Sequence, residues 1–354
     1  MKTVVGILLF LSSLRAGVIY DITDLGVLSG GMTTSAAGIS SNGNVTGSGD
    51  SASAISQAFL WAPAVGLEGI GSSLFAFGAG VNASGTVVGY QFADDFSGYN
   101  AFLGDALGTT LIPTLGGANN AATGINNAGT AVGYSDTATG DTKAFSYNAG
   151  ALTPLAGAAN TRANAINSSG AIAGQGDIDG LTHPILWSGG TWIDLGVPLG
   201  YQSGYAMAIA DAGYVAGTLN DGIGGTVAFV WQPGGMSPIG SLTPGGNSQA
   251  YGVNSSGWVV GASDGVAFVF EGGVMYDLNA LLAGTTSSWQ LSEADAINDL
   301  GQIAGTGYID GQQHAFLLNP ISSSTPEPAT VLLVWGALAM IAGRRRFHTE
   351  GRSR

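Results

Sequence analysis

Cysteine is absent from the 354-residue chain, which rules out a disulfide framework and thiol chemistry. Histidine is nearly absent, with only His183, His314 and His348. No metal-ligand histidine pair, nucleophile elbow or phosphate loop can be assembled from what remains. Charge is scarce as well, at 9% of residues. Between the N-terminal segment and the tail the only basic residues are Lys143 and Arg162. Of 23 acidic residues, Glu327 and Glu350 fall in the tail, so the body carries 21 acids and a charge near 2 − 21 = −19. Such a surface repels phosphate backbones and excludes a nucleic-acid partner. It also keeps the body soluble.

Hydrophobic residues make up 45% of the chain, too many for a disordered protein and enough for a large core. Glycine is abundant, with 60 residues, and its placement is periodic. The segment Ile297-Asn298-Asp299-Leu300-Gly301-Gln302-Ile303-Ala304-Gly305 reads as a hairpin. Asn298 can bond its own backbone and start a turn, and Gly301 supplies the positive φ that closes a short loop. Gly305, in the return strand, marks a bend or a close approach of another backbone. The same pattern recurs from Ile39, Val81, Ile125, Ile166, Ile209 and Val253. The turn glycines, Gly43, Gly85, Gly129, Gly170, Gly213, Gly257 and Gly301, are spaced by 42, 44, 41, 43, 44 and 44 residues. A near-constant period of this kind defines a repeat protein, each repeat being one supersecondary unit.

Each repeat between residues 19 and 320 contains four short segments of strand character. One carries apolar-Asp-Leu-Gly, as in Ile22 to Gly26 and Ile193 to Gly196. One runs into the hairpin and one runs out of it. The fourth is Ala-Phe-apolar-aromatic, as in Ala58-Phe59-Leu60-Trp61, where Phe59 and Trp61 share a face and would fill the space between sheets. Four strands in about 40–45 residues is the unit of a propeller blade. The expected fold is therefore all-β, a seven-bladed propeller of four-stranded blades. The last repeat ends at His314 to Leu318 with no Asp-Leu-Gly strand after it, so Tyr20 to Gly26 is expected to complete that blade and close the ring. An open solenoid is the competing architecture.

The ends read differently. Residues 1–17 have a basic Lys2, a short apolar run and Ala16 before a small-residue cut, the pattern of a signal peptide. Residues 321–328 form a Ser/Pro linker. The uncharged run from Ala329 to Gly343 has fifteen residues and would span only about 22 Å as a helix, a short membrane segment. Arg344, Arg345 and Arg346 follow it and would fix that end in the cytoplasm.

The ordered set Pro326-Glu327-Pro328, apolar run and arginine cluster resembles a PEP-CTERM sorting signal. That resemblance implies recognition and cleavage by an exosortase, export across the inner membrane, transient anchoring through the C-terminal helix, and a final place at the cell surface or outside the cell. Substrates of this kind are associated with exopolysaccharide and biofilm matrix. The hairpin pattern and the Ala-Phe-Leu-Trp strand resemble the HAF extracellular repeat family, with His314-Ala315-Phe316 as the one complete tripeptide. That family implies no activity.

An acidic residue follows each second glycine: Asp50, Asp94, Asp136, Asp177, Asp221, Asp264 and Asp310. A ring of blades would place them in equivalent loops on one rim. Asp177-Ile178-Asp179-Gly180 is a partial calcium-loop pattern and makes Asp177 and Asp179 the candidates for weak Ca²⁺ binding. Asp is also simply a good loop residue. His183 and His314 stand where other repeats have Gln57, Asn100, Lys143, Val227 and Val266, which points to a strand-edge surface position rather than a catalytic base. The reading is a non-enzymatic binding or scaffold module, without a required cofactor, whose partner is an extracellular polysaccharide. The rival is a secreted propeller enzyme acting on glycans, which would need converging carboxylates at a central pocket.

Overall fold

The computed structural model describes residues 18–284 and 288–321. Among these residues the chain builds seven antiparallel sheets of four strands. Six blades are continuous in sequence, at 34–70, 76–111, 116–154, 159–194, 203–240 and 248–277. In blade 3 the strands are, from the innermost outward, Gly116–Ile125, Ala131–Thr137, Thr142–Asn148 and Ala151–Pro154. Blade 7 has Trp289–Ile297, Ile303–Ile309 and Gln312–Ile321, and its outer strand is Ile19–Asp24 from the other end of the chain. Every inner strand touches the inner strands of both neighbours, and the seventh touches the first. The repeats therefore form a closed propeller rather than an open solenoid.

The Ala-Phe strand supplies the core. Phe59, Phe102, Phe145, Phe229, Phe268 and Phe316 are completely buried, and Ile185 takes the place in blade 4. The alanines before them are buried too, and four of their amides bond a side chain of the next blade. Ala101, Ala144, Ala228 and Ala315 donate to Asn120, Thr161, Ser248 and Thr34. An alanine fits because that strand face lies close against the neighbouring sheet.

Closure rests on the N-terminal strand. Tyr20 is fully buried, Leu25 and Leu28 nearly so. Leu25 N donates to Ala315 O at 3.1 Å, and Ala283 N donates to Tyr20 O at 2.8 Å. The Asp-Leu-Gly motif is an Asx turn: Asp24 accepts from Gly26 N at 2.8 Å and Asp194 from Gly196 N at 2.8 Å.

Among the described residues no helix is long and apolar enough to cross a membrane. The expected signal peptide at 1–17, the sorting motif Pro326-Glu327-Pro328, the apolar run 329–343 and Arg344 to Arg346 lie outside the described residues.

Candidate functional site: the central channel

The seven inner strands line a central channel with three chemically distinct layers. The hairpin end is a ring of asparagines. In each Asn-turn the side-chain oxygen accepts amides within its own loop. Asn126, for example, accepts from Ala128 N at 3.1 Å and Thr130 N at 3.0 Å. Its Nδ2 then donates to the backbone of the next blade, Asn167 O, at 3.2 Å. Asn82, Asn167, Asn254 and Asn298 repeat this arrangement, and Asn298 reaches Ser40 O to close the circle. In blade 1 Ser40 replaces the asparagine, and Asn44, four residues on, reaches Asn82 O instead. Ala210 leaves a gap in blade 5, and Ala212 N bonds Ser255 Oγ across that junction. All six asparagines of the ring are buried. Each satisfies buried polar backbone groups that would otherwise cost about 1–3 kcal/mol apiece.

Next comes an aliphatic ring: Ile39, Val81, Ile125, Ile166, Ile209, Val253 and Ile297. It is the common wall of two cavities, one of about 170 Å³ at the hairpin mouth and one of about 180 Å³ on the other side.

The second cavity owes its shape to a bulge that every inner strand carries at the same place. The extra residues are Ala37, Ala79, Thr123, Asn164, Met207, Tyr251 and Asp295. The bulge swings the inner backbone toward the second strand. That explains the second glycine of every repeat. A β-carbon at Gly47 would collide with Ser35 O, and one at Gly133 with Ala121 O. The bulged residues all line the cavity. In blades 1 to 3 they are small; in blades 4 to 7 they are an amide, a thioether, a phenol and a carboxyl.

Asp295 is the most perturbed acid. It keeps part of its surface open to the cavity while protein encloses the rest. Burial pushes its carboxyl up to about 8, with the neighbouring Glu293 adding to the shift and the Thr306 hydroxyl, which donates at 3.0 Å, partly opposing it. Tyr251 Oη donates to Gln249 Oε1 at 3.0 Å, and burial, then Glu293 and Asp295, raise this phenol to about 12. At neutral pH Asp295 is therefore a neutral carboxyl, able to donate a hydrogen bond.

Two residues before the bulge on their inner strands stand Phe77, Arg162, Tyr205, Gln249 and Glu293. Phe77 stacks on Tyr90 with centroids 5.0 Å apart and planes at 21°. Tyr90 meets Tyr99 edge-on at 5.4 Å. Burial, and then a hydrogen bond with Tyr134, raise the Tyr99 phenol above its usual range. The Arg162 guanidinium covers the Tyr134 ring at 4.2 Å. An aromatic arc thus crosses blades 2 to 4 and ends in the cation of blade 4.

The expected acidic rim does not occupy equivalent loops and is not uniform in role. Asp50, Asp94, Asp221, Asp264 and Asp310 sit between second and third strands, whereas Asp136 and Asp177 lie near the end of the second strands Ala131–Thr137 and Ile172–Ile178. Asp50, Asp136, Asp177 and Asp264 each hold a residue 17 positions earlier, Thr33, Asn119, Asn160 and Asn247, at the entry of their own inner strand. The Thr33 hydroxyl and nearby amides pull the Asp50 carboxyl below its ordinary value. Asp221 caps its own loop through Ile223 N and Gly225 N. Asp264, Asp310 and Asp179 have positive φ and precede a positive-φ glycine in two-residue turns. Asp179-Gly180 is thus a tight hairpin turn between Ile178 and Leu181, and Asp177 is engaged by Asn160 and Thr182. Among the described residues no three acidic or histidine side chains gather as a metal-ligand set.

The histidines correct the sequence reading. His183 and His314 are not surface positions: their side chains are 18% and 13% exposed, and each Nδ1 meets the Asp of the neighbouring Asp-Leu-Gly strand. His183 lies 3.0 Å from Asp194 and His314 lies 2.9 Å from Asp24. The two motifs of the repeat, read separately in sequence, are partners across the outer strand pair.

Sequence reasoning missed the bulge ring. Its signal was present: in aligned repeats it is the variable position two residues before the invariant aliphatic one.

No protein-family model and no curated protein matches the chain. Solved structures do. YCF48 bound to a D1 peptide aligns with a TM-score of 0.50 at 12% identity, covering 87% of this chain and 97% of that one. TolB from Acinetobacter baumannii aligns at 0.49 with 10% identity, over 79% of this chain and 64% of TolB. The β-propeller domain of the trilobed protease from Pyrococcus furiosus aligns at 0.48 with 6% identity, over 88% and 98%. These likenesses concern the fold.

Proposed function

We propose that the protein is an exported, non-catalytic binding module of the cell surface or extracellular matrix, and that its ligand site is the bulge cavity. The observation that carries this is the break in repetition. The asparagines and histidines repeat the same bonds within the protein, whereas the bulge ring, although Thr123, Asn164, Tyr251 and Asp295 each also bond a protein group, changes character from blade to blade and lines the cavity. A concave site with an apolar floor and a few distinct polar groups is the usual form of a binding pocket. The HAF-type repeat and the PEP-CTERM-like tail support placement outside the cell, with an exosortase cutting near Pro326 to Pro328 and an exopolysaccharide as partner. Mass spectrometry of the surface protein should find Arg344 to Arg354 missing; an intact C-terminus on exported protein overturns the processing step. A glycan array probed with the protein tests the ligand class.

One observation favours a second reading, a glycan-cleaving enzyme. Burial, with Glu293 as a charged neighbour, pushes the cavity-lining Asp295 carboxyl up, and a raised carboxyl near a second acid is a usual starting point for acid–base chemistry. Release of reducing ends from any polysaccharide the protein binds, lost in Glu293→Gln, would replace binding by hydrolysis.

A further inference from the structure

The channel is chemically lopsided and divided into two cavities by the aliphatic ring. At the bulge level Ala37, Ala79 and Thr123 leave a hollow on one side, and Asn164, Tyr251 and Asp295 present polar groups from the other. The floor is the aliphatic ring, with the asparagine ring beyond it. A polymer entering from the opposite mouth meets this floor, so only a chain end fits. A cavity of about 180 Å³ suits one sugar ring. The Phe77–Tyr90 stack starts two residues from the cavity-lining Ala79, on the same inner strand.

The same features select the ligand's charge. With the body near 2 − 21 = −19, a polyanion is repelled. Arg162 already covers Tyr134. A sugar ring has apolar C–H faces that match aromatic rings, and hydroxyls that match an amide, a phenol and a neutral carboxyl. An uncharged ligand leaves Asp295 in its protonated form, donating to a ligand oxygen while Thr306 holds Oδ2.

We propose that the cavity is an end-recognition site for a neutral polysaccharide, taking the terminal sugar against Asn164, Tyr251 and Asp295 and the next ring toward the Phe77–Tyr90 stack. This rests on the reading of the protein as a binding module for extracellular polysaccharide.

The test uses the full chain and a panel of neutral glucans, mannans and galactans, with anionic alginate and hyaluronan beside them. Each is presented intact and after partial hydrolysis, at equal mass. End recognition means that bound protein follows the number of chain ends and not the mass. Ala37→Phe fills the hollow without removing a polar contact and should weaken binding at least about tenfold. Asp295→Asn, which keeps an acceptor for Thr306, should abolish the loss of affinity expected above pH 8 in the parent. Binding that is equal per mass before and after hydrolysis, or unchanged in both variants, overturns end recognition and leaves the polysaccharide-binding reading intact. Preference for the anionic polymers overturns the charge argument. If no polysaccharide of either kind binds, the broader reading fails and this inference with it.

Discussion

The two ends of the channel are built from the same seven strands and obey opposite rules. At the hairpin end six asparagines each bond the next blade, and where Ser40 replaces the asparagine, Asn44 restores the link. At the bulge level, one strand position per blade, the residues run from alanine to tyrosine to aspartate. The difference lies in what the side chain faces. An asparagine that satisfies a buried carbonyl of its neighbour cannot change without leaving that group unpaired. A bulged residue facing the cavity has no fixed partner in the next blade, so its chemistry can follow a ligand. Thr123 and Asn164 lie between these cases, since each also bonds the neighbouring inner strand, at Ala163 O and Ala206 O.

The most severe way to break this contrast is to open the ring, because then neither layer keeps its neighbours. Deleting Tyr20 to Gly26 strips the outer strand from blade 7 and exposes an edge. Buried side chains of this size contribute about 1.5–3 kcal/mol each. The melting temperature should fall by about 10 °C or more, with aggregation; calorimetry of the truncated chain checks it, and an unchanged curve would mean that closure is dispensable.

A gentler break compares one residue from each layer within blades 3 and 5. Asn126→Ala removes the oxygen that accepts from two loop amides and the donor to Asn167 O, and should cost about 2–4 kcal/mol by chemical denaturation. Met207→Ala should cost under about 1.5 kcal/mol, since Met207 faces the cavity. Equal costs would erase the distinction between the layers.

Asp295 sharpens the comparison through pH. Its carboxyl keeps a proton to about 8 in the folded protein, while an unfolded Asp releases it near about 4. Between those values the folded state binds more protons, so this residue's contribution to stability falls as pH rises and levels off above pH 8. Asp295→Asn should melt like the parent near pH 4 and higher than the parent at pH 8, by about 2 °C or more. A difference that is constant across pH would place the proton elsewhere.

The smallest effect concerns Asp177 and Asp179. One is occupied by Asn160 and Thr182, the other sits in a tight turn. Millimolar Ca²⁺ should raise the melting temperature no more than NaCl of equal ionic strength. A larger shift with Ca²⁺, lost in Asp177→Ala with Asp179→Ala, would restore the rim as a cation site.

Much of this architecture was legible in the chain. The period of the turn glycines determined seven units, and the missing Asp-Leu-Gly strand after Leu318 determined how the ring closes, because turns and strand patterns are local properties of sequence. The second glycine announced a close approach but not what approaches. Only the tertiary structure showed the bulged inner backbone opposite Gly133, the pairing of His314 with Asp24, and the bond from Asn298 to Ser40. It alone brought Ala37 and Asp295 to one cavity. Those relations join residues as much as 290 positions apart, and ring closure brings them together, which no local pattern encodes.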